Sequence, residues 1–184
     1  MERDVTQELL RWVRSHYFGK YRGVVTDNAD STQRGRLKVK VPSVLGNLEV
    51  WAMPCAPYAG DGVGFYSLPE ANTGVWVEFE AGDPSYPVWT GFFWGDGELP
   101  DSTGAAVKIW KTGNLTLKLD DDGDEMLLQT ASDSSVTLAS DVTTESGGAK
   151  HTVGSAGVVA EQGAGKVEVT TASVKVNDGA LEVM

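Results

Sequence analysis

The distribution of aromatic side chains constrains this chain more than any other feature. Every Trp, Tyr and Phe lies at or before Trp110, and the remaining 74 residues contain none. Aromatic rings bury roughly 150–250 Å² each and dominate ordinary cores. The front of the chain can therefore build a conventional core, whereas the back must find its cohesion elsewhere. The turn-rich stretch GDGELPDSTG, residues 95–104, separates the two. The expected organisation is an N-terminal helical segment over 1–20, a barrel domain over 21–95, a linker over 96–104 and a second β domain over 105–184.

In the front part, the spacing predicts a short helix from Asp4 to Tyr17. Asp4 and Gln7 resemble a capping box, and Val5, Leu9, Val13 and Tyr17 recur every four residues. Such a stripe has to dock, either on its own domain or on a neighbour. From Tyr21 to Trp94 the period changes to two. In RGRLKVKVP, Leu37, Val39 and Val41 share one face while Arg36, Lys38 and Lys40 share the other. YRGVVTD, EVWAMPCA, VGFYSLP, GVWVEFEAG and PVWTGFFW supply further strands. Five or so short strands in about 75 residues fit a small closed barrel better than an open sheet with exposed edges.

The back part alternates as well, in LTLKL, EMLLQT, SVTLAS, KVEVTT, SVKVN and ALEVM. Val167 and Val169 lie opposite to Glu168, Val174 and Val176 opposite to Lys175, and Leu181 and Val183 opposite to Glu182. This thin line of Val and Leu predicts a β-solenoid or a prism of strands stacked around an axis, with those six residues in its core. A disordered Gly/Ser-rich tail is the competing reading, but a linker does not need regular alternation.

Charge and composition exclude several function classes. The net charge is −11, which lacks the basic stripe of a phosphate-tracking protein. No apolar run approaches the roughly 20 residues of a spanning helix, and MERDVTQELL does not read as a secretory signal. The single cysteine, Cys55, excludes an intrachain disulfide and a cysteine zinc cluster, and its apolar setting WAMPCAPY predicts a buried core position.

The remaining conspicuous motifs do not carry chemistry. Placing Gly123 of DDDGDE at the sixth position of a calcium loop puts Lys118 first and Gln129 twelfth, where carboxylates belong. A solvated acidic turn is expected there. Glu78 and Glu80 alternate with Val77 and Phe79 on the outer face of a strand, in water, where a carboxylate has no reason to act as a general acid. His16 and His151 lack nucleophile or acid partners in any hydrolase pattern, and GAGK at 163–166 lacks the phosphate-loop spacing. No catalytic residue, metal ligand or cofactor is expected, and the chain does not read as an enzyme.

Four motifs occur in order between Tyr21 and Gly95. They are Gly23-Val24-Val25 with Asn28; Gly35-Arg36-Leu37-Lys38-Val39 followed by Pro42; Gly64-Phe65 with Leu68-Pro69-Glu70; and Gly82-Asp83-Pro84 with Pro87-Val88 and Gly91. Together they resemble the OB domain shared by phage baseplate assembly protein V, tail spike proteins and the VgrG proteins of type VI secretion. The resemblance implies an all-β spike: a short N-terminal helix, an OB-fold collar, and a C-terminal β-helix or β-prism formed as an intertwined homotrimer. It implies attachment to a separate trimeric hub, because only about twenty residues precede the barrel. It also implies a place in the baseplate of a virion or phage-tail-like particle, and the piercing of a target envelope. A tip protein of the PAAR type would meet the C-terminal end at Met184, since His16 and His151 do not form the paired histidines of a self-made metal tip. The rival reading is an OB module for single-stranded nucleic acid or carbohydrate, using Arg34, Arg36, Lys38 and Lys40, with a flexible acidic tail.

Overall fold

The computed structural model describes residues 2–100 and 104–184. Met1 and residues 101–103, part of the expected linker, lie outside the described residues. The chain divides into two units, Met1–Leu99 and Pro100–Met184.

The first unit begins with helix α1 (Glu2–Ser15). Winding starts before Asp4, so Asp4 lies within the first turn and the capping-box reading does not hold. Val5, Leu9 and Val13 form the anticipated stripe, yet they are 63, 59 and 55% exposed. Tyr17 falls outside the helix. Its N–H donates to the Gly82 carbonyl at 2.7 Å, and its ring packs near Tyr21 and Phe79 against the barrel core.

The barrel elements are β1 (Tyr21–Asp27), β2 (Leu37–Lys40), a one-turn helix α2 (Pro42–Leu45), β3 (Glu49–Pro54), the two-residue strands β4 (Ala59–Gly60) and β5 (Val63–Gly64), β6 (Gly74–Phe79) and β7 (Pro87–Phe93). Five of these strands close in the order β1-β2-β3-β7-β6, while β4 and β5 form a separate hairpin. Ladder pairs are antiparallel except β3 with β7, which run parallel and complete the closure. Irregularities in the β1–β2 and β6–β7 ladders, the latter beside Gly91, supply the local bend a small barrel needs.

Alternation sets the core. Val25, Leu37, Val39, Val41, Ala52, Val75 and Val77 are fully buried, and Phe79 and Trp89 join them at 6 and 7% exposure. Burying each of the larger side chains contributes about 1.5–3 kcal/mol. Cys55, expected in this core, is exposed instead. Strand β3 ends at Pro54, one residue before it, and the Cys55 N–H donates to the Trp89 carbonyl at 2.9 Å as the chain leaves the barrel.

The second unit is a single ten-stranded antiparallel sheet. Its strands are β8 (Val107–Lys111), β9 (Leu115–Asp120), β10 (Glu125–Thr130), β11 (Ser135–Leu138), β12 (Val142–Ser146), β13 (Ala149–Gly154), β14 (Gly157–Gln162), β15 (Gly165–Val169), β16 (Val174–Val176) and β17 (Leu181–Val183). They pair strictly in sequence order, a meander in which each strand bonds only to its predecessor and successor.

Candidate assembly surfaces

The register of the meander places its aliphatic side chains in rows. One row runs Leu119, Met126, Leu138, Val142, Val153, Val158, Val169, Val174, Val183, each residue directly opposite the next. A second row, two residues away along each strand and so on the same face, runs Leu117, Leu128, Val136, Thr144, His151, Ala160, Val167, Val176, Leu181. Val167, Val169, Val174, Val176, Leu181 and Val183, expected in the core of the second domain, therefore form one contiguous patch. The residues that sequence reasoning left out are the upstream half of these rows, from Leu117 to Val158, although the same alternation marks them.

No described residue of the second unit covers this face. Leu128 is 42% exposed, Val142 42% and Val183 60%. The opposite face is mostly polar: its central row runs Lys118, Leu127, Thr137, Thr143, Thr152, Val159, Glu168, Lys175, Glu182. Lys150–Glu145 (3.1 Å) and Lys175–Glu182 (3.4 Å) pair across strands there, each contributing well under about 1 kcal/mol in water. An antiparallel sheet with one apolar and one polar face is built to be covered on the apolar side. Met184, expected at a tip contact, follows β17 and is fully exposed.

The acidic stretch 120–125 forms the β9–β10 turn. Lys118 lies 3.0 Å from Asp120 and the Gly123 N–H donates to the same carboxylate at 3.0 Å; in that order they hold Asp120 below the ordinary carboxylate range. Lys108 also pairs with Asp121 across the neighbouring strands.

In the barrel, the four sequence motifs are fastened to one another. Asn28 Nδ2, just past β1, donates to the Pro69 carbonyl at 2.8 Å, joining the first motif to the third. Trp89 Nε1 donates to the Gly35 carbonyl at 3.1 Å, joining the second to the fourth. Gly23 is buried, and a Cβ there would sit 2.9 Å from the Lys40 carbonyl oxygen, so close strand packing requires glycine. Val25 and Val39 point into the core while Val24 faces outward; Pro42 opens α2; Leu68 packs on the core edge. Gly82 takes a left-handed φ of +81°, and the Asp83 carboxylate accepts the Ser85 N–H at 2.9 Å, which holds it below its usual range and shapes the turn through Pro84. Pro87 is buried at the start of β7, Val88 pairs with Met53 and Glu78, and Gly91 sits at the bulge. Gly64 and Phe65 belong to the β4–β5 arm, where Phe65 N–H donates to the Tyr58 carbonyl at 2.9 Å. Tyr58, Val63, Phe65 and Tyr66 are all more than half exposed on that arm.

The basic strand proposed for nucleic acid is largely engaged within the chain. Arg36 is held by the Asp30 carboxylate at 2.7 Å and lies over the Trp51 ring at 5.2 Å, and Lys38 pairs with Glu49 at 3.4 Å. Glu78 faces outward from β6 and pairs with Lys20 at 2.8 Å. Glu80 is not on that strand; it begins a single 3-10 turn after Phe79. Among the described residues no group of three or more His, Cys, Asp or Glu side chains is arranged to hold a metal.

No curated protein sequence matches this chain. Residues 21–94 do match the family model of the type VI secretion system/phage-baseplate injector OB domain, an interval that begins at the first residue of β1 and ends one residue after β7. The closed barrel is thus the part of this chain that is similar to the injector OB domain of that family.

Proposed function

We propose that the chain is a structural spike protein of a contractile injection machine, in which three copies associate and their C-terminal meanders close into one rigid needle. The observation that carries this reading is the uncovered apolar face of the second unit, two rows wide and nine strands long. A lone sheet of this kind leaves its core side in water, and copies of itself are the nearest matching surface. The family resemblance supports three copies. Side-chain size agrees over β9 to β17: around a three-fold axis each position is repeated three times in one layer, so aromatics there would crowd the interior, and the second row meets its first ring only at Trp110, opposite Leu117 on β8. Pairing within a single chain favours a prism, each chain contributing one wall, over strands wound alternately from three chains. Nine steps of about 4.8 Å give a needle of roughly 43 Å.

In this reading the barrels form the collar beneath a separate hub, and a tip protein meets the end near Met184. Sheath contraction supplies the energy, and the needle transmits force to the envelope. The polar outer walls and a charge three times −11 keep the needle soluble and poorly adherent to anionic lipid. Sedimentation equilibrium of the purified chain tests it: the expected particle has three times the 19.6 kDa chain mass. A monomer with a protease-sensitive second unit would leave only the OB barrel standing. A nucleic-acid module would instead shift with single-stranded oligonucleotides as a monomer, which the engaged Arg36 and Lys38 argue against.

A further inference from the structure

Two surfaces of the barrel unit are unmatched within one chain. On the first, the Arg22 guanidinium carbon lies 4.8 Å from the centre of the Trp76 ring and 4.5 Å from that of Phe93. The two ring centres are 5.0 Å apart, and the Phe93 ring lies over Gly74, where a Cβ would come within 2.6 Å of it. Strands β1, β6 and β7 thus build a seat that holds the guanidinium in place. Stacking uses the flat face of an arginine and leaves its N–H edge to grip a carboxylate. Arg22 is exposed and has no acidic partner among the described residues.

The second surface is the β4–β5 arm. Its strands are two residues long each and meet at the turn Asp61-Gly62. So short a hairpin is marginally stable at best in water unless something packs on it. Tyr58 and Tyr66 flank it with exposed rings. Asp61, at its tip, is exposed and has no basic partner among the described residues. The arm leaves the barrel after β3, whereas the seat lies on β1, β6 and β7.

Resting on the three-copy reading above, we infer that the arm of each copy clasps the seat of the next, with the Asp61 carboxylate on the Arg22 guanidinium and the arm's tyrosines beside Trp76. The composition fits, since Arg, Trp and Tyr dominate the energetics of protein contacts. The charges fit as well. Copies of a chain with net charge −11 repel one another, and this pair sets opposite signs face to face where the barrels meet. Arm and seat are different surfaces, so the contact runs head to tail. Three such contacts around an axis close into a ring and leave no arm or seat unused.

The test is hydroxyl-radical footprinting of the full chain, read residue by residue by mass spectrometry, with sedimentation in parallel. Asp61→Arg should raise the labelling of Trp76 several-fold, although the two residues are not in contact within one chain. Arg22→Glu should raise that of Tyr58 and Tyr66 in the same way. The double exchange, Arg22→Glu with Asp61→Arg, should return all three to the wild-type rate. Tyr86, in the β6–β7 turn, should label equally throughout. Where a reversal disturbs the barrel's tryptophan spectrum, Arg22→Gln and Asp61→Asn give the same reading. A trimer in which Asp61→Arg leaves Trp76 unchanged, or in which the double exchange restores nothing, overturns the clasp and leaves the needle standing. A wild-type chain that sediments as a monomer overturns the three-copy reading, and the clasp with it.

Discussion

Asp30 closes the β1–β2 connection by gripping Arg36 through one carboxylate oxygen: Oδ1 lies 3.1 Å from Nε and 2.7 Å from Nη2. Its Oδ2 accepts the Arg34 N–H at 2.9 Å, and Thr32 donates both N–H and hydroxyl to Oδ1. The Asp30 side chain is only 4% exposed. The Arg36 guanidinium, followed by the Thr32 and Arg34 donors, outweighs burial and holds this carboxyl far below the usual carboxylate range.

That depression has a definite sign in pH. A carboxyl whose folded-state value lies below its unfolded value of about 3.9 adds stability above that pH and loses it as the pH falls further. Thermal melts followed by Trp fluorescence, which reports mostly on the barrel, should show the wild type weakening below about pH 4. Asp30→Asn should be less stable at pH 7 and should show a shallower acid limb. An acid limb as steep as the wild type's would remove Asp30 from the account.

Leu37 is fully buried at the centre of the barrel, on the strand whose alternation is cleanest. Leu37→Ala should destabilise the barrel by about 2–5 kcal/mol, from lost burial plus the cavity left behind. Urea unfolding read at 295 nm measures this, and a change under about 1 kcal/mol would mean that the barrel collapses around the gap.

Val153 and Thr152 are neighbours on β13 with opposite facing. Val153→Lys places a charge in the apolar row and, in the proposed three-copy assembly, should leave the chain monomeric while the barrel's tryptophan spectrum persists. Thr152→Lys, on the polar wall, should remain trimeric. Light scattering of the two proteins separates the outcomes, and equal behaviour would refute the assignment of inner and outer faces.

Gly82 accepts the Tyr17 N–H and sits where a Cβ would come within 2.9 Å of Phe18 and 3.1 Å of the His16 Cβ, at a φ of +81°. Gly82→Ala should cost about 1 kcal/mol or more. Hydrogen exchange of the Tyr17 amide should quicken with it, since that proton loses its fixed acceptor. Unchanged exchange would show that the segment is held by its aromatic contacts alone.

Local pattern carried much of this architecture. The period-two runs around Leu37 and Val167 identified both the inward face of the barrel and the apolar face of the meander, because each is a property of consecutive residues. Pairing was not readable in the same way. The parallel contact of Met53 with Val88 that closes the barrel joins residues 35 positions apart, and no nearby residue announces it. VGFYSLP looked like a strand from its Val, Phe and Tyr, yet Gly62 and Gly64 at positive φ cut it to a two-residue arm. Cys55 lies outside the core that its apolar neighbours predict, because an apolar neighbourhood in sequence does not reveal where a strand ends.

The strictly sequential ladder of the second unit has a consequence for how such a part can change. Because each strand touches only those before and after it, removing or adding one hairpin shifts no other pairing, and the inner and outer faces stay in phase. Each such edit alters the stack by about 9.6 Å, two strand spacings. The barrel, closed by a distant parallel contact, tolerates no comparable edit. The C-terminal unit is thus a ruler graduated in hairpins, whose number can change without re-registering the strands that remain.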